Sequence, residues 1–493
     1  MIQGEYLWIL VLGLIVAAID AFGIGANDVA NSFATAVSSK SLTLRQACVI
    51  AVFTEFLGAF LLGRGTAKTI SSGIIDINLF SNKPELLMFA MLCALMGSSF
   101  WVLFATRMGW PVSTTHSIVG AIVGVGISGF GVLAVDWSWK GLPQIIASWF
   151  ISPAFAGVMA VVVFLPIKHG VLGHANSFRR GLVAVPIIFF LTAVIDSFYL
   201  VEKVIKDRNP LSKGATAAIV LGMASSIALF CQFFFVPWLK RCIQGEEDLK
   251  FYHVFAIPFL ATRPKKMTTK DMEEGKGEVS SMWARVKGVA LRGVNKDVLN
   301  MDTDHLRQVH DSAARFDDNT EYMFSFLQVI TSCMASFAHG SNDVANAVGP
   351  ISTIIYIYNT GHISPDGVTP VPSWVLISGG LFIDLGLVTY GYNIMRSLGN
   401  KITYHSPSRG FSMELSASIA VLTATFLKWP VSTTHCITGS TAAVGLCNGD
   451  VHAVNWRMLA WCMFSWILTL PVAGLVAGLL FAFGTRSPSF TVA

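Results

Sequence analysis

The chain has 493 residues, 53% of them hydrophobic and 13% charged, against about 25% charged in an ordinary soluble domain. That composition excludes a soluble globular protein and marks a polytopic membrane protein. The formal net charge of +5 is small for this length, and no basic stripe or nucleic-acid motif accompanies it, so no nucleic-acid partner is implied.

The first apolar run, Leu7 to Ala18, follows Glu5 with no Lys or Arg ahead of it and no small-residue cleavage site before residue 25. It is read as a retained helix rather than a signal peptide. Crossing roughly 30 Å of hydrocarbon takes about 17–25 apolar residues, and on that length helices are predicted near 6–24, 46–63, 86–106, 113–134, 144–166, 181–200 and 214–239. Residues 240–321 hold 14 Lys or Arg and 14 Asp or Glu, the composition of a solvated central loop carrying at most short surface helices. Five more spans follow, near 322–340, 373–395, 412–428, 431–448 and 457–484. The expected fold is an all-α polytopic membrane protein of about 12 transmembrane helices. Its expected organisation is a first half (1–239), a hydrophilic central loop (240–321) and a second half (322–493). The 8 cysteines lie mostly in apolar runs with no CxxC spacing, which argues against disulfides and zinc.

Two motifs occur twice. Residues 25–31 read Gly-Ala-Asn-Asp-Val-Ala-Asn and residues 340–346 read Gly-Ser-Asn-Asp-Val-Ala-Asn, while Pro-Val-Ser-Thr-Thr-His stands at both 111–116 and 430–435. The first polar heptad follows span 1 and the second follows span 8, so the copies are approached from opposite sides of the membrane. Inverted-topology repeats with broken or re-entrant helices at a midplane site are the arrangement this parity predicts. Outside the long loop Lys and Arg divide evenly between the two sides, so the positive-inside rule sets no orientation.

Carboxylates at membrane depth are costly and persist where they line a cavity or bind something. Asp20, Asp28, Glu55, Asp196, Asp343, Asp384 and Glu414 all fall within or beside predicted spans, an excess of acid that attracts cations. Local satisfaction is the favoured account of Asp20 and Asp196, which have no counterpart in the other half. Asp384 is the repeat partner of Glu55 if residues 357–370 are an inserted loop, and both Glu55 and Glu414 are open between ion ligand and structural carboxylate. In Pro-Val-Ser-Thr-Thr-His the proline and hydroxyls suit a helix start. Free N–H groups, the positive dipole end and the hydroxyls together make an anion site, whose common tenant is phosphate. A carboxylate patch beside an anion patch needs a cation between them, and sodium on Asp28, Asp343 and Asn side chains supplies that charge. Protonated phosphate can also donate its hydroxyl to a carboxylate, which sulfate cannot. His116 and His435 are read as neutral and structural, because a helix N terminus lowers imidazole basicity.

At GANDVANSF, PVSTTHSIVG, Ser336 to Gly340 (Ser-Phe-Ala-His-Gly), SPSRGFSMEL and the second PVSTTH, the chain resembles the inorganic phosphate transporter family, and within it eukaryotic sodium–phosphate symporters of fungal type. The resemblance covers nearly all of the chain except residues 240–321. It implies a secondary active transporter that imports phosphate with sodium by alternating access, about twelve spans in inverted repeats, and a homodimer in the plasma membrane with the central loop cytoplasmic. By resemblance, Asp28, Asn31, Ser113, Thr114, Thr115, Asp343, Asn346, Ser432, Thr433 and Thr434 handle phosphate. Sodium, a co-transported substrate rather than a cofactor, is assigned to Asn27, Asp28, Glu55, Asn342, Asp343 and Glu414. Proton coupling, sulfate as the anion, and a non-transporting phosphate sensor are the alternatives. An enzyme is not expected, since no HExxH, GxSxG or nucleophile–base motif stands near the repeats.

Overall fold

The computed structural model describes residues 2–70, 74–75, 77–139, 141–202, 211–247, 249–260, 304–364, 369–426 and 431–486. The helices are α1 (Ile2–Glu5), α2 (Leu7–Asn27), α3 (Ala30–Ser38), α4 (Leu44–Ile70), α5 (Pro84–Met108), α6 (Thr114–Phe130), α7 (Leu142–Ile167), α8 (Ser177–Leu200), α9 (Lys213–Phe230) and α10 (Val236–Ile243) in the first half. After the central region come α11 (Asp304–Asp311), α12 (Asp318–Thr360), α13 (Ser373–Tyr390), α14 (Tyr392–Lys401), α15 (Pro407–Phe426), α16 (Thr433–Leu446) and α17 (Trp456–Arg486). Among the described residues there is no strand, only an isolated bridge between Ile75 and Val135. Among the described residues eight helical runs are long and apolar enough to cross a membrane, which makes this a multi-pass membrane protein. The other long helices fall short of that standard for different reasons. α6 is apolar but has only 17 residues, α16 has 14, and α12 and α15 carry Asn, Asp, Ser, His and Glu among their apolar residues.

The two polar heptads are built differently. At the first, α2 stops at Asn27 and α3 starts at Ala30, with Asp28 and Val29 in a turn between them. The Asn31 and Ser32 amides there reach only three residues back, to Asp28 and Val29 at 2.9 and 3.1 Å. The second heptad lies inside α12, a single helix of 43 residues that also contains Pro350. The span predicted at 322–340 is therefore only its first part, and the broken helix expected at this copy is replaced by a continuous one. The hydrophobicity drop at Gly340–Asn346 ends an apolar run without ending a helix, because buried neighbours satisfy the polar side chains. Within 240–321, α10 runs on to Ile243, a 3-10 turn covers Phe251–Phe259 and α11 covers Asp304–Asp311. The rest of that loop, 261–303, lies outside the described residues.

Packing does not divide where the sequence does. One core joins α2–α6 with the end of α12, α13 and α17. A second joins α7, α8 and residues 231–257 with the start of α12, α15 and α16. α12 crosses from one to the other, with Phe324 and Leu327 in the second core, Val344 and Ile351 in the first, and its polar heptad between.

Lipid tails are as apolar as leucine, so helices in a membrane associate through close approach of backbones at small residues rather than through water exclusion. Several of the closest approaches come in matching pairs. A Cβ added to Gly25 would stand 1.8 Å from the Ile383 carbonyl oxygen, and one on Gly340 would stand 2.2 Å from that of Glu55. Gly386 lies likewise on the Phe22 carbonyl (2.0 Å) and Gly58 on that of Phe337 (2.1 Å). Gly120 on Leu470 (2.6 Å) is matched by Gly439 on Pro153 (2.2 Å). A side chain at these positions forces the crossing apart, whereas at Gly222 there is open space. Overpacking costs about 1–3 kcal/mol, so Gly439→Val should lower the thermal midpoint of the detergent-solubilised protein by several degrees. Gly222→Val should leave it unchanged; equal midpoints for the two variants would refute this account of the crossing.

Candidate functional site

Both Pro-Val-Ser-Thr-Thr-His segments do what their residue types suggest. Ser113 is the cap of α6, its hydroxyl accepting from the His116 amide at 3.2 Å, and Ser432 caps α16 in the same way at 3.4 Å. Pro430 itself lies outside the described residues. The two capped ends meet the two heptads crosswise. Thr114 donates to Asp28 from its hydroxyl (2.6 Å) and its amide (3.3 Å), and Thr434 donates to the other Asp28 oxygen at 3.0 Å. Asn31 donates to Thr434 at 2.8 Å and stands 3.5 Å from Asp28. In the mirrored set Thr115 reaches Asp343 at 3.4 Å, and Asn346 donates to Thr114 and Thr115 at 3.2 Å each. Four segments distant in sequence thus close one buried polar centre. Asn342 is half-buried on α12 beside it, and half-buried Thr433 lines a cavity of about 50 Å³ with Asn31, His339 and Glu414.

The charge at this centre depends on a residue that sequence reasoning passed over. His339, itself buried, stands 2.8 Å by Nδ1 from Glu55 and 2.7 Å by Nε2 from Asp343. One ligand atom each of Asp28, His339 and Asp343 lies within 4.8 Å of the others. The Nδ1 contact with Glu55 is a hydrogen bond, whereas Nε2 approaches Asp343 without hydrogen-bond geometry, so one imidazole stands between two acids. Its motif, Ser336-Phe-Ala-His339-Gly340, was visible in the sequence, but nothing in it names Glu55, 284 residues away, as the partner. Ser336 completes the Glu55 shell at 2.7 Å.

Glu414 sits in a shell of its own. It accepts from Thr331 (2.6 Å), Ser332 (2.8 Å) and Gln328 (3.3 Å) on α12 and from Thr35 on α3. Two donors on each oxygen fill its acceptor positions. Asn27 is similarly engaged. It donates to Thr106 (2.9 Å) and the Trp110 carbonyl (3.1 Å) and accepts from the Val112 amide (3.1 Å), so it ties the approach to α6 onto the end of α2.

The remaining candidates separate. Asp20 takes a bond from Ser99 at 3.3 Å on the neighbouring α5, away from the centre. Asp196 lines the 50 Å³ cavity with Tyr199 and Glu414. Asp384 is buried with no hydrogen-bond partner for either oxygen among the described residues. The paired glycine contacts set Ile383 against Gly25 as Glu55 stands against Gly340, one residue from Asp384, the expected counterpart. His116 and His435 are buried with ring centroids 5.0 Å apart, and His435 lies 3.9 Å from Trp466. Among the described residues no ring nitrogen of either has a hydrogen-bond partner.

Apolar helices that bury acids, amides and hydroxyls in one closed centre define a membrane protein that handles a polar solute, since such groups persist at membrane depth for function. The comparisons give the solute. Residues 24–477 match the phosphate transporter family, and the chain belongs to it. It is 36% identical to the phosphate-repressible phosphate permease pho-4 of Neurospora crassa, over 99% of each chain. It is 30% identical to the sodium-dependent phosphate transporter 2 of Bos taurus, over 98% of each. A solved structure described as the sodium-dependent phosphate transporter superposes with a TM-score of 0.72 at 31% identity, covering 97% of this chain and 99% of that one. The protein is a phosphate transporter, not an enzyme, and its family implies no cofactor.

Glu414 provides the test of how the centre is held. Leucine there strands four donors, and each buried unsatisfied donor costs about 1–3 kcal/mol. Glu414→Leu should therefore lower the detergent thermal midpoint clearly, and Glu414→Gln, which keeps an acceptor oxygen, should lower it less. The reverse ranking would show that the shell does not hold the carboxylate.

Proposed function

We propose that this protein imports inorganic phosphate together with sodium by alternating access around the centre described above. The observation that carries the proposal is the crosswise closure of Asn31 on Thr434 and Asn346 on Thr115, which puts two capped helix starts against two acid-bearing heptads. Phosphate takes the hydroxyls and amides of Ser113, Thr114, Thr115, Ser432, Thr433 and Thr434 with Asn31 and Asn346, and its own hydroxyl donates to Asp28 or Asp343. The Thr114 and Thr434 hydroxyls now turned onto Asp28 rotate onto the anion as it arrives.

Sodium supplies the positive charge that two acids and a phosphate require. We assign it to Asp28 and Asp343 with Glu55, Asn27, Asn342 and Glu414. Asn27 keeps one free lone pair on its carbonyl oxygen. At Glu414 a cation displaces one of the four donors, so sodium there changes the contact between α3, α12 and α15. The matched glycine crossings support two inverted repeats within about twelve spans. The two cores, each drawn from both halves of the chain and joined by α12, are the bodies that move. Residues 1–239 and 322–493 supply the halves, residues 240–321 the cytoplasmic connection, and the protein acts as a homodimer in the plasma membrane.

Uptake of labelled phosphate into proteoliposomes tests this directly. An inward sodium gradient should drive uptake, and a pH gradient in sodium-free buffer should not. Excess sulfate should leave the rate unchanged, because it brings no proton to Asp28 or Asp343. Asp28→Asn and Asp343→Asn should each cut sodium-driven uptake by about 100-fold, the scale of removing one member of a buried charge pair. Sodium-independent flux, or full activity in both variants, would sink the proposal.

A further inference from the structure

A second polar cavity lies at the far end of α3 from Asp28. α3 has 9 residues, which at 1.5 Å per residue separates its ends by about 13 Å. The cavity measures about 580 Å³, and Ser38, Lys40, Arg315, Tyr404, His405 and Arg409 are among its walls. Its chemistry is that of an anion site. Arg409, wholly buried, lies 5.3 Å over the rings of both Tyr404 and Phe316, and Arg315 packs on the Tyr404 ring at 5.3 Å. Arg409 is fixed by the Ala314 carbonyl and the Asn448 side chain, both at 2.7 Å, and its Nε has no hydrogen-bond partner among the described residues. His405 is 3% exposed; its Nδ1 stands 2.5 Å from the Ser38 hydroxyl, while Nε2 has no hydrogen-bond partner among the described residues. The 20-residue helix α15 starts at Pro407 on this wall, with the buried Ser406 just before it, and presents its positive end.

The acids here do not cancel that charge. Glu321 is engaged by the Ser408 amide and hydroxyl, both at 2.8 Å, and stands against Arg409. Asp318 is exposed on the rim, where it faces the exposed Lys40 and Arg315. Buried His310 adds a further ring to the wall. The side chains of two exposed cationic residues, a buried guanidinium, an unpaired imidazole nitrogen and a helix start suit a tetrahedral dianion, which takes several charge-assisted donors at once.

We infer that this cavity binds a phosphate group, separately from the centre at Asp28 and Asp343. The bond from His405 to Ser38 gives the bound anion a hold on α3, whose other end closes the central site through Asn31. The occupant is either free phosphate or the phosphate of an anionic lipid headgroup. The inference rests on the central site only for its comparison state.

Binding of radiolabelled inorganic phosphate to the full chain in phosphatidylcholine nanodiscs decides it. In the Asp28→Asn, Asp343→Asn protein, phosphate should still bind, and adding Lys40→Gln with Arg315→Gln should weaken that binding about tenfold or more. Both heads are exposed, so folding should survive, and Arg315→Lys alone should retain binding. Nanodiscs that also contain phosphatidic acid separate the sources: undiminished phosphate binding identifies free phosphate, and loss of binding identifies the headgroup as competitor. Phosphate binding that is absent, or indifferent to Lys40 and Arg315, overturns the inference. If Asp28→Asn and Asp343→Asn do not lower phosphate binding of the otherwise unaltered chain, the central assignment fails instead.

Discussion

Negative charge in a membrane interior is the constraint on which the rest of this structure depends. Asp28 and Asp343 have oxygens within 4.8 Å of a common imidazole nitrogen, and two like charges some 4 Å apart repel by about 4 kcal/mol at an effective dielectric constant of 20. Burial adds several kcal/mol more for each ion. Nothing in lipid can offset this, so the offset comes from the fold: His339 between Glu55 and Asp343, and hydroxyls from two helix starts on Asp28. Under the proposed function, phosphate entering this centre would add to that repulsion, and an accompanying cation would offset it.

The unequal construction of the two heptads follows from where those donors come from. At the first copy the turn at Asp28 and Val29 frees the carboxylate to face α6 and α16 together, and Asn27 anchors the turn by gripping residues 110–112. At the second copy His339 lies one helical turn before Asp343, an i,i+4 pair. That spacing exists only if the helix is unbroken. A break there would cost the imidazole its place, so α12 runs straight through its polar stretch for 43 residues.

These particulars show what a sequence can and cannot reveal here. Asp28, Asp343 and the Ser-Thr-Thr runs were legible because polar residues repeated in an apolar chain have few explanations. Span positions were legible wherever a run was uniformly apolar, as at Pro84–Met108, predicted as 86–106. Three things were missed. α12 reads as a span that ends, because hydrophobicity measures the lipid-facing surface and this helix is buried by its neighbours. His339 and the four-donor shell of Glu414 were missed because their partners lie up to 379 residues away and no spacing encodes them. The third is the register of Glu55, which corresponds to Ile383 by the backbone contacts at Gly25 and Gly340; it stands in the letters too, once Leu57-Gly58 is set on Leu385-Gly386.

The short helix α3 joins these features into one mechanical unit. Asn31 at its start reaches Thr434 on α16, Thr35 in its middle reaches Glu414 on α15, and Ser38 at its end reaches His405. Those three partners all belong to the segment from residue 405 to 434, in or beside the second core, whereas Val29, Phe33 and Val37 pack in the first. One face of α3 is therefore held by apolar contacts and the other by hydrogen bonds to hydroxyl, carboxylate and imidazole. Apolar contacts survive small sliding, while hydrogen bonds fail steeply once distance and angle depart from their narrow range. If the two cores shift against each other, α3 keeps its place in the first and exchanges partners on the second. In the proposed cycle, charged solutes arriving at Asp28 and Glu414 would compete for those very partners, so that binding and the motion of the cores would act on the same bonds.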